Sequence, residues 1–316
     1  MSRPAPLLDI AEAPVPAGGK AEWFDGAKGA TLRAALFPAQ GAPKGSVVLS
    51  GGRTEPIEKY YEVIRDLTGR GFTVLAHDWR GQGLSQRLLP DRLKGHAAGH
   101  ADFMADYQAL LAQFEARLPK PWIAMAHSMG GCLTMLVLTG GETRFSAAVL
   151  SAPMLGLPLD GRPFWMGRAM AAAQKLLGRS SAYVAEASGK GGGGAAPFEG
   201  QVLTHDRTRY DTWMKQLAAN PDLDLGGVTW GWVDFALSAF AWMRAPGRLE
   251  KVSIPVTILA AGEEKLVWNP DAKMVAGRLP KGRFVEVPGS YHEILMETDD
   301  KRAVFWREFD AVAAGL

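Results

Sequence analysis

The sequence predicts an α/β protein with a mostly parallel central sheet, flanking helices and a helical segment inserted late in the chain. Three observations carry that expectation. Short β-rich apolar runs alternate with longer helical patterns, one run passes through a small-residue serine turn straight into a helix, and the alternation lapses between Pro153 and Val252.

The runs are GSVVLS at 45–50, FTVLAHD at 72–78, PWIAMAH at 121–127, AAVLSAP at 147–153, PVTILAAG at 255–262 and RFVEVPG at 283–289. Between the first two, EKYYEVIRDLTGRG (58–71) sets Tyr61, Ile64 and Leu67 at helical spacing and stops at Gly71. FMADYQALLAQFEARLP (103–119) ends at Pro119, and GGCLTMLVLTG (130–140) follows closely on the run at 121–127.

Residues 154–235 break the rhythm and read as helices laid over the strand ends, joined by the glycine-rich stretch SGKGGGG at 188–194. That stretch lacks the Lys-Ser/Thr ending and the preceding strand of a phosphate loop. The core then comprises 25–153 and 236–316. Residues 1–24, with four early prolines and no long apolar stretch, are expected to form an extended arm rather than a signal peptide.

The 316 residues suffice for one core carrying such an insertion, and no internal repeat is apparent. A balance of 35 basic against 33 acidic residues gives no reason to expect a nucleic acid partner. Cys132, the single cysteine, fits a reducing compartment. No run of 18 apolar residues occurs, so a cytoplasmic chain without a spanning helix is expected.

The chemistry centres on Ala126-His127-Ser128-Met129-Gly130. A serine on a tight strand-to-helix turn needs small residues two before and two after it, and its hydroxyl then projects above the sheet. The helix start supplies the Met129 N–H for a developing oxyanion. A second donor is expected after the first core run, in VVLSGGRTEPIEKY, where Gly51 and Gly52 allow close approach and Arg53 offers its N–H.

A base and an acid should follow in the order serine, acid, histidine. His292 in VPGSYHEILME stands after the last run and is the best placed of the six histidines. Glu263 and Glu264 follow PVTILAAG, and Glu264 is preferred as the carboxylate that fixes the imidazole tautomer. Ser85, in Asp78-Trp79-Arg80-Gly81-Gln82-Gly83-Leu84-Ser85, has no such turn and is read as structural. His96 and His100 share metal-like spacing, but no HExxH pattern is present and Gly95 and Gly99 disfavour a helix, so neither metal nor cofactor is expected.

With these residues in view, the chain resembles the lysophospholipase and monoacylglycerol-lipase-like branch of the α/β-hydrolases, particularly the bacterial inner-membrane lysophospholipase type. The resemblance runs from about Ala30 to the end. It rests on GRTEPIEKYYEVIRDLTGRGF (52–72), HDWRGQGLSQRLLPD (77–91), AHSMGG (126–131), LSAPMLGL (150–157), LTHDRTRY (203–210), GGVTWGW (226–232) and PGSYHEILME (288–297). It implies Ser128 as nucleophile, His292 as base, Arg53 and Met129 as oxyanion donors, and Glu264 where the family ordinarily carries aspartate.

The resemblance also implies hydrolysis of a carboxylic ester of a monoacyl lipid, a lysophospholipid or a monoacylglycerol, through an acyl-enzyme. The alternatives are hydrolysis of a non-lipid ester, thioester or amide on the same fold, or a catalytically weak relative that binds lipid. The segment 154–235 becomes a cap whose apolar face receives the acyl chain, with Trp165, Met166, Trp213, Trp230 and Trp232 as candidate lining and peripheral contact with the inner membrane through the cap.

Overall fold

A computed structural model describes residues 3–159, 161–184 and 197–316. Each of the six apolar runs forms a strand: β4 (Gly45–Ser50), β5 (Phe72–His77), β6 (Trp122–His127), β7 (Ala147–Ser151), β8 (Val256–Ala261) and β9 (Gly282–Val287). These pair in parallel in the order β5-β4-β6-β7-β8-β9. Strands β4 to β8 are buried along their whole length, which is why they read as continuous apolar runs.

Successive side chains serve opposite faces. Trp122, Ala124 and Ala126 of β6 join one apolar layer with α2 (His100–Phe114) and α3 (Met129–Thr139). Ile123 and Met125 join the other, with α1 (Tyr61–Gly69) and α8 (Asp299–Ala314). The ordered serine turn thus sits at the end of a strand clamped between two helical layers.

The amino-terminal segment differs from expectation. Residues 1–24 are not simply an arm: β1 (Arg3–Ala5) and β2 (Lys20–Asp25) pair antiparallel with each other, and β2 pairs with β3 (Thr31–Phe37). β3 in turn lies antiparallel to β5, extending the sheet to nine strands among the described residues. Partial exposure of β2 leaves KAEWFD without the unbroken apolar signature of the central strands.

The late interval contains α4 (Phe164–Leu176), α5 (Arg207–Ala219) and α6 (Trp230–Met243) before α7 (Asn269–Arg278) returns to the sheet. The boundary expected between 235 and 236 falls inside α6. This helix is continuous because its apolar side docks on the core: the rings of Phe235 and Phe103 lie 5.0 Å apart, and the Trp232 indole N–H points at the Met129 sulfur at 3.4 Å. The glycine-rich stretch expected at 188–194 lies outside the described residues.

Candidate active site

The chain leaves β6 at Ser128 with φ 47° and ψ −116°. A residue bearing a side chain holds a positive φ only where its surroundings impose it. Here the backbone does so: the Ser128 N–H donates to the Ser151 carbonyl at 3.1 Å, and its carbonyl accepts from Met154 at 2.8 Å and Cys132 at 3.2 Å. Small neighbours follow from crowding. A Cβ on Gly130 would stand 2.3 Å from the Ser50 carbonyl oxygen, and one on Gly131 would stand 2.5 Å from Pro153.

Ser128, Glu264 and His292 come from the loops after β6, β8 and β9, so parallel pairing gathers them at one edge of the sheet. The Ser128 hydroxyl donates to Nε2 of His292 at 2.9 Å, while Nδ1–H of the same ring donates to Oε2 of Glu264 at 2.8 Å. The second carboxylate oxygen accepts backbone N–H groups from Lys265, Leu266 and Val267 at 3.0, 2.7 and 3.2 Å. Burial would raise the Glu264 pKa, but His292 and the Leu266 and Val267 N–H groups outweigh it and hold the carboxyl below its ordinary value. Glu263 is exposed, and the structure brings Glu264 rather than Glu263 to the imidazole.

Met129 opens α3, so its N–H has no carbonyl one turn back. The loop after β4, bearing Arg53, runs alongside: a Cβ on Gly52 would come 3.1 Å from the Ser128 Cβ. This loop is clamped from two sides. Glu55 Oε2 accepts the Gly52 N–H at 2.6 Å and the Tyr60 hydroxyl at 2.5 Å. The Gln82 side chain accepts the Thr54 N–H at 2.8 Å and donates to the Gly52 carbonyl at 3.3 Å.

A buried ionic network beneath the site escaped sequence reasoning. Lys59 Nζ bridges Glu55 at 3.0 Å and Glu293 at 2.5 Å, tying the Arg53 loop to the His292 loop. Burial works against the Glu55 charge, yet His127, Lys59, Tyr60 and the Gly52 N–H lower its pKa to about 2. His127, whose ring centre lies 4.8 Å from that of His292, is pushed down to about 4 by burial, so it is neutral at pH 7. The available signals were the four-residue spacing of Glu55 and Lys59 and the adjacency of Glu293 to His292; neither spoke of a contact across the fold.

The remaining sequence candidates sort by position. Ser85 donates to the Asp78 carbonyl at 2.8 Å inside its turn, and Asp78 itself accepts the Ile57 and Leu84 N–H groups at 3.0 and 2.9 Å. His96 and His100 meet the hydroxyls of Thr229 and Ser238 at 2.9 and 3.4 Å. Among the described residues no group of three His, Cys, Asp or Glu side chains is arranged for a metal.

A cavity of about 370 Å³ opens onto Ser128 and His292, walled by Met129, Met154, Leu157, Leu266, Val267 and Trp232 with Arg53 at its edge. Of the five expected lining residues, Trp232 alone borders it. Trp165 and Met166 are 68% and 42% exposed because α4 turns them outward. Trp213 is buried against Leu217 and Leu223, and Trp230, half-buried, starts α6.

The family described as Hydrolase_4: Serine aminopeptidase, S33 matches residues 41–299. The chain is 35% identical over 295 residues to Lysophospholipase L2 of Escherichia coli (strain K12), covering 89% of this chain and 83% of that protein. It is 24% identical over 265 residues to Monoacylglycerol lipase of Mycolicibacterium smegmatis, covering 82% and 85% respectively. Among solved structures, a soluble variant of monoglyceride lipase from Saccharomyces cerevisiae, in complex with a substrate analog, aligns with a TM-score of 0.73 at 17% identity over 98% of each chain. Monoacylglycerol lipase of Paleococcus ferrophilus gives 0.67 at 21% identity, over 90% of this chain and 98% of that one.

Proposed function

This chain belongs to the Hydrolase_4 family of α/β-hydrolases described as serine aminopeptidase S33, and from that premise we propose that it hydrolyses carboxylic esters of monoacyl lipids through an acyl-enzyme on Ser128. The observation that carries the proposal is the hydrogen-bonded line from Ser128 through His292 to Glu264 at the mouth of an apolar cavity.

In this reading Glu264 holds the Nδ1–H tautomer, leaving the Nε2 lone pair to take the serine proton as the hydroxyl attacks the ester carbonyl. The oxyanion is met by the N–H groups of Arg53 and Met129, each contributing about 3–4 kcal/mol to the transition state. His292 returns the proton to the departing alcohol, then activates water to release the fatty acid. The apolar wall from Met154 to Trp232 takes the acyl chain.

The segment 154–235 acts as a cap in this reading, with α6 anchoring it to the core. α4 presents Trp165, Met166, Met170, Leu176 and Leu177 beside Arg162, Arg168, Lys175 and Arg179, a combination suited to peripheral contact with an anionic bilayer. No helix among the described residues is long and apolar enough to cross a membrane.

The test is a series of p-nitrophenyl esters of rising chain length and 1-monoacylglycerols, set against aminoacyl and peptide amides. Hydrolysis of the esters, abolished by Ser128→Ala, is expected; amide cleavage without ester preference refutes the lipid-ester reading.

A further inference from the structure

We propose that Lys59 is a positioning residue for hydrolysis at Ser128: its buried ammonium holds the loop that carries the Arg53 N–H and the loop that carries His292 in fixed relation about the nucleophile. The proposal rests on the ester-hydrolase reading above and names the residue that sets its two halves against each other.

The loop after β4 is held against its own preference. Thr54 has φ 70°, a left-handed value that a β-branched side chain adopts only under constraint. Its N–H is taken by Gln82 at 2.8 Å, and the Gly52 N–H is taken by Glu55 at 2.6 Å. The N–H between them, that of Arg53, is the one this reading gives to the oxyanion. Its placement therefore follows from where the Glu55 carboxylate stands.

Lys59 fixes that carboxylate. The two residues lie four apart, and the single 3-10 turn Ile57–Tyr60 brings the ammonium back to Glu55 Oε1 at 3.0 Å, while Oε2 accepts the Gly52 N–H and the Tyr60 hydroxyl. The same ammonium reaches Glu293, next in sequence to His292, at 2.5 Å. Burial works against its charge, but Glu293 and Glu55 outweigh that and raise the Lys59 pKa above the ordinary lysine value. The ammonium also lies over the Trp213 ring of α5, 5.5 Å from its centre, which gives a place to an indole that does not border the cavity.

Stability does not account for this triad. A buried cation between acids contributes little over apolar side chains of the same volume, because desolvation offsets the attraction. What the arrangement does contribute is distance. The two loops follow β4 and β9, and β6, β7 and β8 lie between those strands, so no direct strand pairing sets one loop against the other. A displacement of either by about 1 Å costs on the order of a hundredfold in rate.

The experiment measures kcat and KM for p-nitrophenyl butyrate, and Ki for an alkyl trifluoromethyl ketone whose tetrahedral adduct with serine places a charged oxygen at the oxyanion position. Lys59→Met should lower kcat about a hundredfold, leave KM within about threefold and raise Ki about as much as kcat/KM falls. Lys59→Arg should recover part of both. Glu293→Gln, which leaves Lys59 on Glu55, should lower kcat about tenfold, and Lys59→Met added to it should cost less than in the wild type. Urea unfolding of each variant shows separately how far the fold is weakened.

An unchanged kcat in Lys59→Met, a loss confined to KM, or losses that simply add in the double variant overturn the proposal. A fall in kcat with Ki unaltered also overturns it and assigns Lys59 to the fold alone. Should Lys59→Met not fold, Glu293→Gln decides by the same kcat and Ki readouts. A wild type that hydrolyses no ester, or whose hydrolysis survives Ser128→Ala, removes the parent reading instead.

Discussion

A glutamate extends its carboxylate one methylene further from the backbone than an aspartate does, and the turn at Glu264 takes up that length. The carboxylate folds back over its own loop, accepting N–H groups from residues 265–267 with one oxygen and the His292 N–H with the other. Glu264→Ala should therefore lower kcat about 10³–10⁴-fold, while Glu263→Ala, with an exposed side chain, changes it less than about twofold. The reverse pattern in steady-state assays would move the acid by one residue. Because the folded-state pKa of Glu264 is depressed, its stabilising contribution is full above the unfolded value of about 4.3 and disappears as pH falls through the lower folded value. Urea unfolding of wild type and Glu264→Gln should thus give a stability difference that is constant at neutral pH and shrinks below about pH 4; a difference that grows on acidification contradicts the depressed value. Local patterns made Ser128 and His292 legible, since each is defined by its place after a strand. The Glu55–Lys59–Glu293 network was not, because Lys59 and Glu293 are 234 residues apart and only the folded sheet edge joins them.

At the scale of elements, the strand-turn-helix unit from β6 to α3 carries the most constraint. A Cβ on Gly130 would stand 2.3 and 2.5 Å from the Ser50 and Gly51 carbonyl oxygens, at the end of the paired strand β4 where the backbone has little room to yield. Gly130→Ala is expected to destabilise the fold by about 1–3 kcal/mol and to slow fluorophosphonate labelling of Ser128, read by chemical denaturation and labelling rate. Wild-type stability in this variant would mean that the turn tolerates bulk where the crowding forbids it. The parallel strands were readable because burial on both faces writes an unbroken apolar run. β1 and β2 were not, since β1 has three residues and β2 buries only Phe24 among exposed and half-buried neighbours. α6 hid its boundary for a related reason: its sequence is apolar well beyond 235, and docking against Phe103 and Met129, rather than local pattern, makes it a single helix.

Across the whole molecule, the sheet edge gathers Ser128, Glu264 and His292 while α4 displays apolar and cationic side chains on the outside. Leu176 is 89% exposed and Trp165 68%, values that suit contact with a lipid surface. Combined Trp165→Ala, Leu176→Ala and Leu177→Ala substitutions should reduce co-sedimentation with phosphatidylglycerol vesicles about tenfold or more, while hydrolysis of a water-soluble short-chain ester falls far less. Parallel loss of both would place those side chains in the reaction rather than at the bilayer. The family and the α/β-hydrolase fold were legible from dispersed motifs, whereas the lining of the cavity was not, because helical residues of one composition point inward in α6 and outward in α4. The most direct test of the central claim is mass spectrometry of acid-quenched protein during turnover of 1-palmitoylglycerol. A single palmitoyl group on the peptide containing Ser128, absent in Ser128→Ala, is the predicted result; continued turnover with Ser128 unmodified, or with the acyl group on Ser85, would contradict it.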